Sequence, residues 1–101
     1  MNASDLLNVN PVLVDRVRLS IMANLVLAGG PVDFNTLLAE LDLTKGNLST
    51  HLRKLEEAEM IALNKEFIDR KPRSSYRCTA KGKKEMQNYL STIESLLKKV
   101  K

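Results

Sequence analysis

Between Arg70 and Lys84 the sequence carries seven basic residues and no acidic one. Arg70, Lys71 and Arg73 surround Pro72, and Arg77 follows. Such a cluster of cations without carboxylates suits an anionic partner, and a nucleic-acid backbone supplies the needed row of charges. Residues 44–58 offer a second set of groups. Asn47, Ser49 and Thr50 are short hydrogen-bonding side chains, while Arg53 and Lys54 are long cations. Asn can pair bidentately with adenine, and Ser or Thr can bond base edges in the major groove. Arg53 and Lys54 are expected to reach phosphates, with guanine also within the range of Arg53. Lys45 and Gly46 open the segment, where free backbone N–H groups can hold a phosphate.

Other chemistries find little support. Ser49 and His51 lie two apart, so on a helix they do not face each other. His51 is the only histidine and Cys78 the only cysteine, which makes neither a metal set nor a disulfide framework. Gly29-Gly30 precedes Pro31 and reads as a helix stop rather than a phosphate cradle. No catalytic residues, no metal and no cofactor are expected. His51 is expected at the edge of the core or bonded to a backbone group or phosphate. Cys78, on an inward strand position, is expected to be inert.

Charge is unevenly distributed along the 101 residues. Residues 1–43 hold two basic and five acidic side chains, whereas residues 44–101 hold 14 basic and seven acidic. The anionic partner therefore belongs to the second half. No apolar run is long enough to cross a bilayer, and no signal-peptide pattern opens the chain. The expectation is a cytoplasmic protein without a membrane partner.

The elements that must position these groups follow from periodicity. Asp15 can cap a helix to about Ala28, with Val14, Val17, Ile21, Leu25 and Ala28 on one stripe. Asp33 caps a short helix, Phe34 to Leu41. Thr44 opens a third to about Ala58, with Leu48, Leu52 and Leu55 inward and Asn47, Thr50, Arg53 and Lys54 outward. Met60 to Phe67 alternates, with Ile61, Leu63 and Phe67 on one side, and reads as a half-buried strand. A basic loop, Ile68 to Arg73, leads to a second strand, Ser74 to Cys78, with Tyr76 and Cys78 inward and Arg77 outward. Thr79 caps a last helix. Met86, Leu90, Ile93, Leu97 and Val100 approximate a coiled-coil seam on it, widened by Tyr89 and Leu96. Residues 1–13 give no clear pattern, although Leu6, Leu7 and Val9 offer apolar surface.

The order helix, helix, helix, strand, strand, helix places a helix-turn-helix before a hairpin. The stretch Leu43-Thr44-Lys45-Gly46-Asn47-Leu48-Ser49-Thr50-His51-Leu52-Arg53-Lys54-Leu55-Glu56 resembles the recognition helix of the MarR/ArsR winged-helix superfamily. The resemblance is to its small-domain branch, with the pattern T-x-G-N-L-S-x-H-L-x-K-L-E. Lys65-Glu66-Phe67, Arg70-Lys71-Pro72-Arg73-Ser74-Ser75-Tyr76 and Thr79-x-x-Gly82 resemble the strand, wing and start of the final helix, so that the likeness covers roughly residues 12–100. One position departs: the family usually has Gly where the recognition helix ends, and this chain has Glu59-Met60.

The resemblance implies a mainly α (α+β) fold, a winged helix-turn-helix with a two-stranded wing and a C-terminal dimerisation helix. Residues 1–101 would form one domain, with 80–101 as the dimerisation helix. It implies a prokaryotic regulator of transcription, a repressor more than an activator, bound to double-stranded DNA as a homodimer. The recognition helix 44–58 would enter the major groove and the wing 67–75 the minor groove or backbone. The DNA-binding set is Lys45, Gly46, Asn47, Ser49, Thr50, Arg53, Lys54, Arg70, Lys71, Arg73 and Arg77. The dimer set is Met86, Tyr89, Leu90, Ile93, Leu97 and Val100, with help from residues 6–17. A protein-interaction module and a sequence-blind architectural DNA binder are the alternatives. No residue set announces a small-molecule effector.

Overall fold

The computed structural model describes residues 1–101. Two short 3-10 turns, Ala3–Asn8 and Pro11–Leu13, lead into α1 (Arg16–Ala28). Then come β1 (Val32–Asp33), α2 (Phe34–Leu41), α3 (Lys45–Glu57), β2 (Ile61–Ile68), β3 (Lys71–Cys78) and α4 (Ala80–Val100). The expected caps form. Asp15 Oδ1 accepts from the Val17 and Arg18 amides at 2.9 and 3.0 Å. Asp33 Oδ1 accepts from the Thr36 amide at 2.7 Å, and Thr44 Oγ1 from the Asn47 amide at 3.2 Å. Each side chain satisfies an N–H that the helix itself leaves without a partner. Gly29 ends α1 in the left-handed region at φ 70°, and Asp42 ends α2 at φ 51°.

The apolar faces converge on one core. Ile21, Met22 and Leu25 of α1 meet Leu37 of α2 and Leu48, Leu52 and Leu55 of α3, and Ile61, Tyr76 and Met86 close it. Leu55 and Met60 are also the apolar contact of a helix stop. The Met60 amide bonds the Leu55 carbonyl at 3.0 Å and the Glu59 amide bonds the Glu56 carbonyl at 2.9 Å. This is a Schellman closure, and its left-handed position is Glu59 at φ 61°. The closure expected of glycine thus forms with glutamate.

The start of α4 is locked to that corner. The Thr79 hydroxyl donates to the Glu59 carbonyl at 2.7 Å and accepts from the Gly82 amide at 3.0 Å. Gly82 lies directly against the Met60 carbonyl, which a Cβ would strike. The Thr79-x-x-Gly82 string therefore has a packing cause.

Several expectations are corrected. The sheet has three strands in the order β1-β3-β2, because Val32 and Asp33 pair with Tyr76 and Ser75. The loop expected over residues 68–73 is only a two-residue turn. Ile68 pairs with Lys71, and Asp69 and Arg70 both take positive φ, 52° and 65°. Phe67 keeps to the core-facing side of β2, but the hairpin outruns the core and leaves it 79% exposed. Val14 precedes α1 and is exposed, while Val9, between the two 3-10 turns, and Leu13, at the end of the second, are buried. Met86, expected in a seam between copies, belongs to the core of its own chain at 5% exposure. Its position early in α4, one turn past Gly82, presses it against the body.

Candidate nucleic-acid interface

α3 buries Leu48, Leu52 and Leu55 and turns a polar face outward. Lys45, Gly46, Asn47, Ser49, Arg53 and Lys54 are exposed on it, and Thr50 is half-buried. The Thr50 hydroxyl donates to the Gly46 carbonyl at 2.9 Å. Its proton is spent within the helix, so it can offer a neighbour only acceptor lone pairs and its methyl group. Thr44 satisfies the Asn47 amide, whereas the Lys45 and Gly46 amides lie in the first turn, without carbonyls of the helix to bond. A Cβ at Gly46 would meet nothing within 4 Å. Packing thus does not require glycine there, and its effect is to leave the backbone open to close approach. With the Lys45 ammonium beside it, the end of α3 combines helix dipole, amides and charge.

The wing is a hairpin of two eight-residue strands. Arg70, Lys71 and Arg73 are exposed near its tip. Arg73 is partly engaged: its Nη1 lies 3.6 Å from Asp33 Oδ2. The Thr36 hydroxyl and amide bonded to Asp33, with the Arg73 charge adding to them, hold its carboxyl below the usual carboxylate range. Arg70 and Lys71 form no ion pair within the chain. Arg77 is exposed but sits six residues back along β3 from Lys71, about 20 Å at strand rise. There it lines an open cavity of about 280 Å³ with Leu25, Met86, Lys83 and Leu90. The structure thus separates Arg77 from the other wing cations. Cys78 borders the same cavity; burial pushes its thiol up, against a smaller lowering by Lys83, so the unreactive protonated form prevails.

A second cluster escaped the sequence reading. Arg18 Nε donates to the Val12 carbonyl at 2.7 Å, and Arg18 Nη1 lies 3.2 Å from His51 Nδ1. Arginine only donates, so Nδ1 is the acceptor and the ring proton sits on Nε2. Asp15 Oδ1 is 3.9 Å from the same nitrogen, but the shorter contact decides the tautomer. The Arg18 amide, which also bonds Asp15, is the main cause holding that carboxyl low, with the Arg18 charge and the Val17 amide assisting. Arg18 therefore joins the segment before α1 to the middle of α3. Its partners lie six and 33 residues away, so no local pattern could reveal them.

On α4, Tyr89 packs half-buried against the core, while Leu90, Ile93, Leu97 and Val100 are 51%, 37%, 51% and 74% exposed. Val26 and Leu27 at the end of α1 are exposed too. No helix is long and apolar enough to cross a membrane.

Comparison with known proteins agrees with this architecture. The sequence profile of the winged helix DNA-binding domain family matches residues 17–97, and the chain belongs to that family. An uncharacterised protein of Methanocaldococcus jannaschii is 37% identical over 68 residues, covering 67% of this chain and 74% of that protein. The structure of a transcriptional regulator homologue from Pyrococcus horikoshii superimposes with a TM-score of 0.82 at 33% identity. It covers 90% of this chain and 89% of the other. A PadR family transcriptional regulator from Eggerthella lenta shares the fold, with a TM-score of 0.66 at 22% identity over 87% and 85% of the two chains. The family and both solved structures are named for DNA binding or transcriptional regulation, not for catalysis.

Proposed function

We propose that this protein is a cytoplasmic transcriptional regulator that binds double-stranded DNA sequence-specifically as a homodimer and represses by occupying a promoter site. The observation that carries the reading is the outward face of α3, polar and cationic, with its first-turn amides open and the wing cations Arg70 and Lys71 unpaired. In this reading α3 lies in the major groove, which admits a helix. Asn47 and Ser49 bond base edges, and Thr50 contributes its methyl group or an acceptor. Arg53 and Lys54 contact phosphates, and Lys45 and Gly46 hold one at the helix end. Arg70 and Lys71 follow the flanking backbone or minor groove, with Arg73 as a weaker contributor because of Asp33. The recognition-helix and wing strings favour the MarR/ArsR-like branch of these regulators.

The homodimer is proposed from α4. Leu90, Ile93, Leu97 and Val100 leave an apolar seam uncovered by their own chain, and pairing with a second α4 would bury it. Residues 6–17 would widen the contact, since Leu7 is 85% exposed. Two-fold symmetry would set the α3 helices about 34–36 Å apart, one turn of DNA.

Selection from a pool of random duplexes at moderate salt tests the whole reading. A two-fold-symmetric motif with half-sites about one turn apart is expected. Salt-sensitive binding without a motif would replace it with an architectural role. Absence of binding at low salt would make the winged helix a protein-interaction module.

A further inference from the structure

The chain has two Tyr and two Phe. Tyr76 lies in the core, and Phe34 and Tyr89 pack against it. Phe67 alone stands clear, near the wing tip and 79% exposed. Its cross-strand partner is Pro72, and the next pair on that face is Lys65 with Ser74. Directly opposed residues of an antiparallel pair share a face, and faces alternate. Phe67 and Pro72 thus prolong the surface on which Ile61 and Tyr76 meet the core, beyond the point where the core ends.

The hairpin under this pair is continuous. Its ladder runs from Ile61 with Cys78 to Ile68 with Lys71 without a bulge. Asp69 and Arg70 close it in a two-residue turn with both φ angles positive, the geometry that suits hairpin twist. That turn places Arg70 and Lys71 at the end of the ladder with no acidic partner. Lys65 is exposed on the Phe67 face.

We propose that Phe67, backed by Pro72, is an apolar wedge that enters the minor groove of duplex DNA and partly unstacks one base step. Lys65, Arg70 and Lys71 take the phosphates on either side. The inference rests on the DNA-binding reading and adds deformation of the DNA to it. Phe and Pro are among the side chains that wedge between base steps. An apolar pair with Lys65 on its own face and Arg70 and Lys71 at the hairpin end beside it complements a narrow groove with a stacked apolar floor and anionic rims, with Asp69 the one acidic group of the turn. A protein partner would call for a broader apolar patch than this tip presents. Because pyrimidine–purine steps unstack most easily, the wedge would add a preference for TA or CA/TG steps beneath the wing.

The sequence has no Trp, so Phe67→Trp introduces a single indole reporter. Titrated with a selected duplex, its fluorescence is expected to be quenched by the bases. End-to-end energy transfer on the same duplex should report a bend with the wild type that Phe67→Ala loses. Phe67→Ala removes no charge, so the slope of log affinity against log salt should stay unchanged, with affinity reduced by about tenfold or less. An unquenched indole and an unaltered bend, on DNA that the wild type binds, would overturn the wedge and leave the DNA-binding reading standing. No salt-dependent binding by the wild type would overturn both. Conversion of a dimer to monomer by Phe67→Ala in sedimentation would assign the tip to a protein contact instead.

Discussion

At the scale of single residues, Glu59 is strained by its backbone rather than by its contacts. Its φ of 61° is imposed by the hydrogen bonds that end α3 and by burial of Met60 beside Leu55. A left-handed L-residue costs about 1–2 kcal/mol, and glycine loses about 0.5–1 kcal/mol through its freer unfolded state. Glu59→Gly is therefore expected to stabilise the protein by about 0.5–1 kcal/mol. The urea midpoint should rise with an unchanged m-value, and a fall would mean that the carboxylate contributes more than the strain costs. Asp33 gives a pH prediction. Its folded pKa is lowered, chiefly by Thr36 and then by Arg73. The stabilisation it supplies is complete above its unfolded value near pH 4 and is lost as pH falls toward the depressed folded value. Asp33→Asn keeps a capping oxygen but not the charge, so it should match the wild type most closely in acid, be less stable at pH 7, and flatten the acid limb below about pH 4. An acid limb identical to the wild type would remove Asp33 from the acid response. The groups of the candidate site were legible one by one, as polar or cationic types off an apolar stripe. Their engagements were not: the Asp33–Arg73 pair and the Arg18–His51 bond join segments that only folding brings together.

At the scale of elements, the helices were readable because each pairs an apolar stripe with a capping side chain, and all four caps form. What escaped the sequence has physical reasons. Two residues, Val32 and Asp33, are too short to display alternation, and β1 exists because β3 offers them an edge. The first turns are 3-10 and carry no helical period. The wing looked like a loop because Pro72 and the run of charges discourage a strand. Pro72 is tolerated because β1 pairs only with Ser75 and Tyr76, leaving that end of β3 with a free edge. Phe67 shows that period assigns a face but not the depth of what covers it. For α3, the glycine in its first turn yields opposing effects. Gly46→Ala should raise helix stability by up to about 1 kcal/mol, since a Cβ there meets nothing. The same methyl would stand where a phosphate approaches the Lys45 and Gly46 amides, so DNA affinity should fall while the melting temperature holds or rises. Unchanged affinity would show that the α3 terminus is not a phosphate contact.

At the scale of the whole molecule, shape and exposed apolar surface point the same way. The chain extends 53 × 25 × 21 Å with a radius of gyration of 15.0 Å, above the roughly 13 Å of a compact domain this size. The 21 residues of α4 span about 31 Å but bury only Gly82 and Met86. A helix with its apolar seam in water gains little from its own chain, because most helical stability in proteins comes from packing an amphipathic face. Pairing two such helices would stabilise both and join two DNA-reading faces. Ile93→Glu tests this because Ile93 lies mid-seam, past Met86 and the core. It should leave the winged-helix body folded by circular dichroism while sedimentation shifts from dimer to monomer. Affinity for a two-half-site duplex should then fall by about two to four orders of magnitude, as the second contact ceases to be intramolecular. Affinity for a single half-site should barely change, because α3 and the wing are untouched. If the variant sediments as a dimer, the interface lies elsewhere, with Val26, Leu27 and Leu7 the next exposed apolar groups to substitute. If it is monomeric yet binds the paired site undiminished, each protomer reads DNA alone and the symmetry of the operator loses its physical cause.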